Sequence, residues 1–69
     1  MKPKLLKAIP KNELLWVTET RSDGEVFYTT SDRIRTKYNL YQKVSEGVKL
    51  LTSAPTPVGF SEIIADFNA

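Results

Sequence analysis

The segment DRIRTKYNLYQK, residues 32–43, contains the residue types that could bind a ligand by charge and stacking. It holds two arginines, two lysines and two tyrosines, and its single acid stands at the first position. Proteins often hold single-stranded nucleic acid with cations along the phosphates and aromatic rings under the bases. On a strand, one face of the segment would present the candidate nucleic-acid-binding residues Arg33, Arg35, Lys37, Tyr41 and Lys43. The solvated face of a small antiparallel sheet has the same composition, so both interpretations stay open.

The residues needed for catalysis or metal binding are missing from the sequence. The chain of 69 residues has no cysteine and no histidine, which excludes Cys/His zinc sites, a histidine general base and the usual nucleophile–histidine pairs. Its glycines, at positions 24, 47 and 59, are too dispersed for a phosphate-binding loop. The pairs Asp23/Glu25 and Glu62/Asp66 are interpreted as solvated carboxylates. We therefore predict no enzyme, and no catalytic residue, cofactor or metal.

Four aromatic residues are candidates for a protein-binding surface. A chain of this length buries only about 60% of the surface that its unfolded form exposes. Exposed apolar side chains or an open sheet edge would then be available to a partner. Aromatic side chains are frequent hot spots of interfaces, which makes the candidate anchors Trp16, Phe27, Tyr28 and Tyr41. For Trp16 a place in the core is the competing interpretation, and the strand that contains it could also pair with a second copy.

A predicted β-hairpin positions three of these aromatic residues. Runs rich in β-branched and aromatic residues flank Asp23-Gly24, and this dipeptide suits the positive φ of a type I′ turn. A two-residue turn there would pair Arg21 with Val26. The same register would continue along both strands.

Residues 34–51 fit two periodicities. As a helix, they would form one apolar stripe of Ile34, Tyr38, Tyr41, Val44, Val48 and Leu51. However, several of the residues are mediocre helix formers, and an interior Gly47 costs about 1 kcal/mol. As a second hairpin, residues 38–44 and 48–54 would be strands, with SEG as a three-residue loop and Gly47 in a left-handed conformation. We favour the hairpin.

The two ends of the chain differ in character. Residues 1–11 carry four lysines, no acid and two prolines, which predicts a basic extended arm whose Leu5, Leu6 and Ile9 could dock on the domain. Residues 12–69 are predicted to form a single small α+β domain. Pro55 and Pro57 should end the sheet, and FSEIIADFNA predicts a closing helix with Ser61 as its N-cap.

The predicted fold is therefore α+β, a small antiparallel sheet of three to four strands built from two hairpins, with a short C-terminal helix. The predicted function is that of a small non-catalytic binding protein that acts through a protein–protein interface with another protein or with itself. The alternative is a nucleic-acid-binding module that uses residues 33–43. Small size, lack of cysteine and histidine, and a hairpin-rich pattern are typical of accessory proteins from phages and bacterial mobile elements, which resemble this chain in type only.

No membrane partner is expected. The apolar runs, such as LLWV at residues 14–17, are far shorter than a membrane span. The basic first segment lacks the apolar centre of a secretory signal. The predicted compartment is therefore the cytoplasm.

Overall fold

The computed structural model describes residues 4–67, which form one antiparallel sheet and one helix. The elements in chain order are β1 Lys4–Leu6, β2 Leu14–Thr20, β3 Val26–Ser31, β4 Tyr38–Val44, β5 Gly47–Ala54 and α1 Phe60–Asp66. Their order across the sheet is β1-β5-β4-β3-β2, so β1 and β2 form its two edges.

The predicted α+β class is confirmed, but the predicted number of three to four strands is wrong, because the described residues contain five strands. The additional strand is β1, which lies within the predicted arm and pairs with β5, with Leu5 opposite Lys49. Residues 1–3 of that arm lie outside the described residues. The arm thus contributes an edge strand, in which Leu5 is 50% exposed and Leu6 is partly buried.

The first hairpin is present, but its predicted register is wrong by one residue. Thr20 pairs with Val26, and the turn holds three residues rather than two. The N–H of Arg21 donates to the carbonyl oxygen of Glu25 at 2.8 Å, and the N–H of Gly24 donates to that of Arg21 at 3.0 Å. Gly24 has a φ of +91°. A glycine in this conformation forms a β-bulge after a turn, so the turn contains one more residue. Every later pair of residues on the two strands is then shifted by one.

Residues 38–54 form the predicted second hairpin and not a helix. Its turn is shorter than predicted, because Val44 pairs with Gly47 and only two residues lie between them. Gly47 has a φ of +146°, and a Cβ at this position would lie 2.0 Å from the carbonyl oxygen of Leu6. The glycine is therefore required by the close approach of β1 as well as by the turn.

One face of the sheet packs against α1. Side chains from β3 and β4 meet the helix in a core of Phe27, Tyr38, Leu40, Phe60 and Ile64. The sheet ends at Ala54, as the prolines predict. The helix begins two residues earlier than predicted, at Phe60, so Ser61 is not its N-cap; that position is taken by Gly59, without a side-chain hydrogen bond.

The other face is covered by residues 7–13, here called the crossing segment. Since β1 and β2 lie at opposite edges of the sheet, the segment that connects them must span the four spacings between neighbouring strands. Seven residues can span at most about 25 Å, enough for four steps of about 4.8 Å. Tyr41 and Val48 are buried on this face. Both faces of the central strands are therefore covered, whereas β2 is not.

Candidate interface at the β2 edge

Strand β2 is exposed along its whole length. All seven residues from Leu14 to Thr20 are exposed, and the first four are large and apolar, with exposed fractions of 44% for Leu14, 58% for Leu15, 44% for Trp16 and 44% for Val17. The strand pairs with β3 on one side only. A long, apolar edge strand with unpaired backbone groups is a template on which another strand can pair.

The bond between Arg21 and Glu25 determines which backbone groups of β2 face outwards. In an antiparallel ladder, residues alternate between those that bond to the neighbouring strand and those that turn away from it. Arg21 bonds inwards to Glu25, so Glu19 and Val17 also point towards β3. Thr18 and Thr20 consequently direct their N–H and C=O groups to the open edge.

Trp16 lies in a β-bulge at the start of this edge. The pairing with β3 shifts between Leu15 and Val17, which leaves Trp16 without an opposite residue. Bulges turn a side chain away from its regular direction. Here the Trp16 ring meets the edge of Tyr38, with ring centroids 5.8 Å apart at an interplanar angle of 78°. Trp16 is thus at the rim of the core and remains half exposed.

The loop between β3 and β4, residues 32–37, lies against the same end of β2. The Asp32 carboxylate accepts hydrogen bonds from the backbone N–H groups of Thr36 at 2.7 Å and Lys37 at 3.3 Å, and from the Thr36 hydroxyl. The hydroxyl bond is the main reason that the pKa of Asp32 lies below its usual value. Arg35 has a φ of +58°, and its guanidinium stands 4.7 Å from the centroid of the Trp16 ring.

The candidate nucleic-acid-binding residues do not form the expected row. Strand β4 begins only at Tyr38, so Arg33, Arg35 and Lys37 project from the loop at one end of the sheet. Lys43 is exposed near the other end of β4. Tyr41 is 1% exposed and presents no ring face to a base. The prediction that these residues share one contiguous strand face is therefore wrong. Nucleic-acid binding by the three loop cations stays a prediction.

The candidate protein-binding anchors are also divided by the fold. Phe27 and Tyr41 are buried, at 0% and 1% exposure, and Tyr28 is partly buried. Of the four, Trp16 is the accessible one. Sequence reasoning missed Leu14, Leu15 and Val17. Their signal was the uninterrupted apolar run, which breaks the alternation of a strand with one solvated face.

A second polar cluster, on the covered face, fixes the crossing segment to the sheet. The Glu13 carboxylate accepts hydrogen bonds from the hydroxyl of Thr30 at 2.6 Å, the amide of Asn39 at 3.2 Å and the hydroxyl of Tyr41 at 2.8 and 3.0 Å. Burial, together with the Glu13 carboxylate, raises the pKa of Tyr41. Because the donors come from β3 and β4, this cluster positions the residue from which β2 continues.

Arg21 fixes the other end of β2. Its Nη1 donates to the carbonyl oxygens of Ile64 and Phe67, both at 2.7 Å, and its guanidinium forms an ion pair with Asp23. The bond from Arg21 lowers the pKa of Asp23. The carboxyl end of α1 is thereby attached to the first hairpin.

Within residues 4–67, no three acidic, cysteine or histidine side chains are grouped as metal ligands would be. In the same part of the chain, the helix that forms is too short to span a membrane. A comparison with protein-family models, with curated proteins and with solved structures finds no match for this chain.

Proposed function

We propose that this chain is a small non-catalytic binding protein whose protein–protein interface is the open edge of β2. The observation that carries the proposal is the exposure of seven consecutive strand residues, four of them large and apolar. An incoming strand would complete the backbone hydrogen bonds of Thr18 and Thr20 and cover the apolar side chains, which is recognition by β-strand addition. Trp16 is the anchor that we propose for such a partner.

The proposed mode of action is occupation of a surface on another protein, as in accessory proteins of phages and mobile elements. It requires the interface alone, without a cofactor or a metal. Trp16 contacts both Tyr38 and Arg35, so little of its freedom is lost on binding. The compartment that we propose is the cytoplasm.

The test compares two charge insertions at exposed apolar positions. Leu15→Lys places an ammonium on the β2 edge, whereas the control Val58→Lys places one at a position outside β2 that is 85% exposed. Each tagged protein is incubated with a lysate of the cells that encode it, and the retained proteins are quantified by mass spectrometry. We expect at least a tenfold loss of specifically retained protein with Leu15→Lys only. Equal retention by wild type and Leu15→Lys would contradict the proposal.

A second candidate function, single-stranded nucleic-acid binding, is favoured by one observation. Arg33, Arg35 and Lys37 are exposed in one loop, Arg35 stands over the half-exposed Trp16, and none of the three forms an ion pair within residues 4–67. Three phosphate contacts would give a log–log salt slope of about −2. Arg33→Ala should reduce that slope by about 0.7, whereas Lys43→Ala, in β4, should not change it. Absence of binding to mixed-sequence single strands at low salt would remove this candidate.

A further inference from the structure

We infer that the strand that pairs with β2 is β2 of a second copy, antiparallel to the first about a twofold axis near Thr18. The inference rests on the proposed function and adds the identity of the partner. In this arrangement, Thr18 exchanges backbone hydrogen bonds with Thr18 of the second copy, and the two sheets become one continuous sheet. Such an interface is isologous, because each copy contributes the same surface.

The two ends of β2 carry opposite charge, which is the first argument. Residues 32–37, beside the amino end of β2, carry three cations and one carboxylate, a net charge of +2. Residues 19–25, at the carboxyl end, carry three carboxylates and one guanidinium, a net charge of −2. Within one copy, Trp16, over which Arg35 stands, and Glu19 are three strand positions apart, or about 10 Å, slightly more than the Debye length of about 8 Å at physiological salt.

An antiparallel pair brings unlike ends together at both ends of the interface. With the axis near Thr18, Glu19 of one copy lies opposite Val17 of the other. It is then next to the position where Arg35 stands over Trp16 in that copy. The twofold axis repeats this contact. A parallel pair would instead place basic loop against basic loop, which is unfavourable.

The contrast between the two edges of the sheet is the second argument. Edge strands that stay unpaired are often very short or carry lysine. Within the described residues, β1 fits this description, with three residues that begin at Lys4. The β2 edge has seven residues, no lysine and no proline, and its one charged residue is Glu19. This edge is neither short nor lysine-bearing, and the β-bulge at Trp16, which also disfavours pairing, is confined to its amino end.

The third argument is the small size of the core. A chain of 69 residues buries a smaller share of its surface on folding than a larger domain does, so association is a common source of further burial. With the axis near Thr18, Trp16 of each copy would lie opposite Thr20 of the other, and Leu15 opposite Arg21. Trp16 and Leu15 are 44% and 58% exposed in the single chain, and pairing would cover part of both.

A charge-swap experiment tests the pairing. We expect Glu19→Lys, and separately the double variant Arg33→Glu/Lys37→Glu, to raise the dimer dissociation constant about tenfold or more, since each places like charges at both contacts. An equimolar mixture of the two variants should restore association to within about threefold of wild type, because both contacts are then complementary again. Sedimentation equilibrium at protein concentrations from about 1 µM to about 1 mM, in physiological salt, measures these dissociation constants.

Glu62→Lys is the matched control for Glu19→Lys. It makes the same substitution at an exposed position of α1 and should leave the dissociation constant unchanged. Thermal unfolding of each variant separates lost pairing from lost folding. Restoration by mixing would in addition be impossible if either variant were unfolded.

Every result of these experiments either supports or overturns the antiparallel pairing of β2 with a second copy. Self-association of the wild type that is weakened by each variant and restored by the mixture supports it. A wild type that stays monomeric up to about 1 mM, or variants whose mixture fails to restore association, overturns it. If Leu15→Lys then still abolishes capture of a different protein, the proposed function stands with another partner. If Leu15→Lys has no effect on capture either, both fail.

Discussion

At the scale of single residues, Glu13 decides how β2 begins. Its carboxylate has no cationic partner within residues 4–67 and is held by three neutral side chains from β3 and β4. A carboxylate that is partly removed from water requires such donors. The cost of losing one donor is therefore larger than for an exposed hydrogen bond, and the variants Tyr41→Phe and Thr30→Val test this.

Tyr41→Phe removes the hydroxyl that donates to Glu13 and should lower the free energy of unfolding by about 2 kcal/mol at neutral pH. The pKa of Tyr41 is raised in the folded chain, so above pH 10 the folded state keeps a proton that the unfolded state has lost. The wild type should therefore lose stability above about pH 10, by up to about 1.4 kcal/mol per pH unit. Urea unfolding between pH 8 and 11.5 measures this slope. Tyr41→Phe should lack the Tyr41 contribution, and an unchanged slope would contradict the assignment.

Thr30 and Ser31 are adjacent and both 0% exposed, but only one hydroxyl has a partner. Thr30→Val removes the bond to Glu13 and should destabilise the chain by about 1–2 kcal/mol. The Ser31 hydroxyl has no hydrogen-bond partner among the described residues. Ser31→Ala should therefore change stability by less than about 0.5 kcal/mol or increase it. Denaturant unfolding of the two variants gives the comparison, and a larger loss for Ser31→Ala would show that its hydroxyl is bonded.

At the scale of elements, turn chemistry determined what could be predicted. Asp23-Gly24 correctly marked the first hairpin, but the dipeptide does not distinguish a two-residue turn from a three-residue turn with glycine at its end. That difference shifted the register by one residue. Likewise, Gly47 correctly indicated a turn, but the atoms that a Cβ at this position would clash with belong to Leu6 and Lys7, which are distant in sequence. Local patterns predict where a chain turns, and contacts with distant segments decide the register.

The two turn glycines should respond differently to alanine. Gly24→Ala forces a positive φ on alanine with no atom within 4 Å of the new Cβ, so the cost should be about 1–2 kcal/mol. Gly47→Ala adds a clash with the carbonyl oxygen of Leu6, for a total of about 3 kcal/mol or more. Hydrogen exchange of the β1 amides should rise most in Gly47→Ala. Equal costs for the two variants would contradict the close approach of β1 to this turn.

At the scale of the whole molecule, the sequence predicted the α+β class and the C-terminal helix but not the candidate interface at the β2 edge. Phe27 and Tyr41 have the residue types of interface anchors, yet α1 packs over Phe27 and the crossing segment covers Tyr41 through Glu13. Arg33, Arg35 and Lys37 share a parity, yet β4 begins after them. Which strand becomes an edge depends on the crossing segment and on β1, and both involve long-range pairing that local patterns do not carry.

The central claim is that the open edge of β2 binds another strand, and amide exchange tests it most directly. Hydrogen exchange of each β2 amide is measured by NMR at low and high protein concentration, and with any partner that the capture experiment recovers. We expect the amides of Thr18 and Thr20, whose N–H groups face outwards, to exchange at least tenfold more slowly once the edge is occupied. Val17 and Glu19 should be protected throughout, since they bond to β3. Unchanged exchange at Thr18 and Thr20 under every condition would contradict the account.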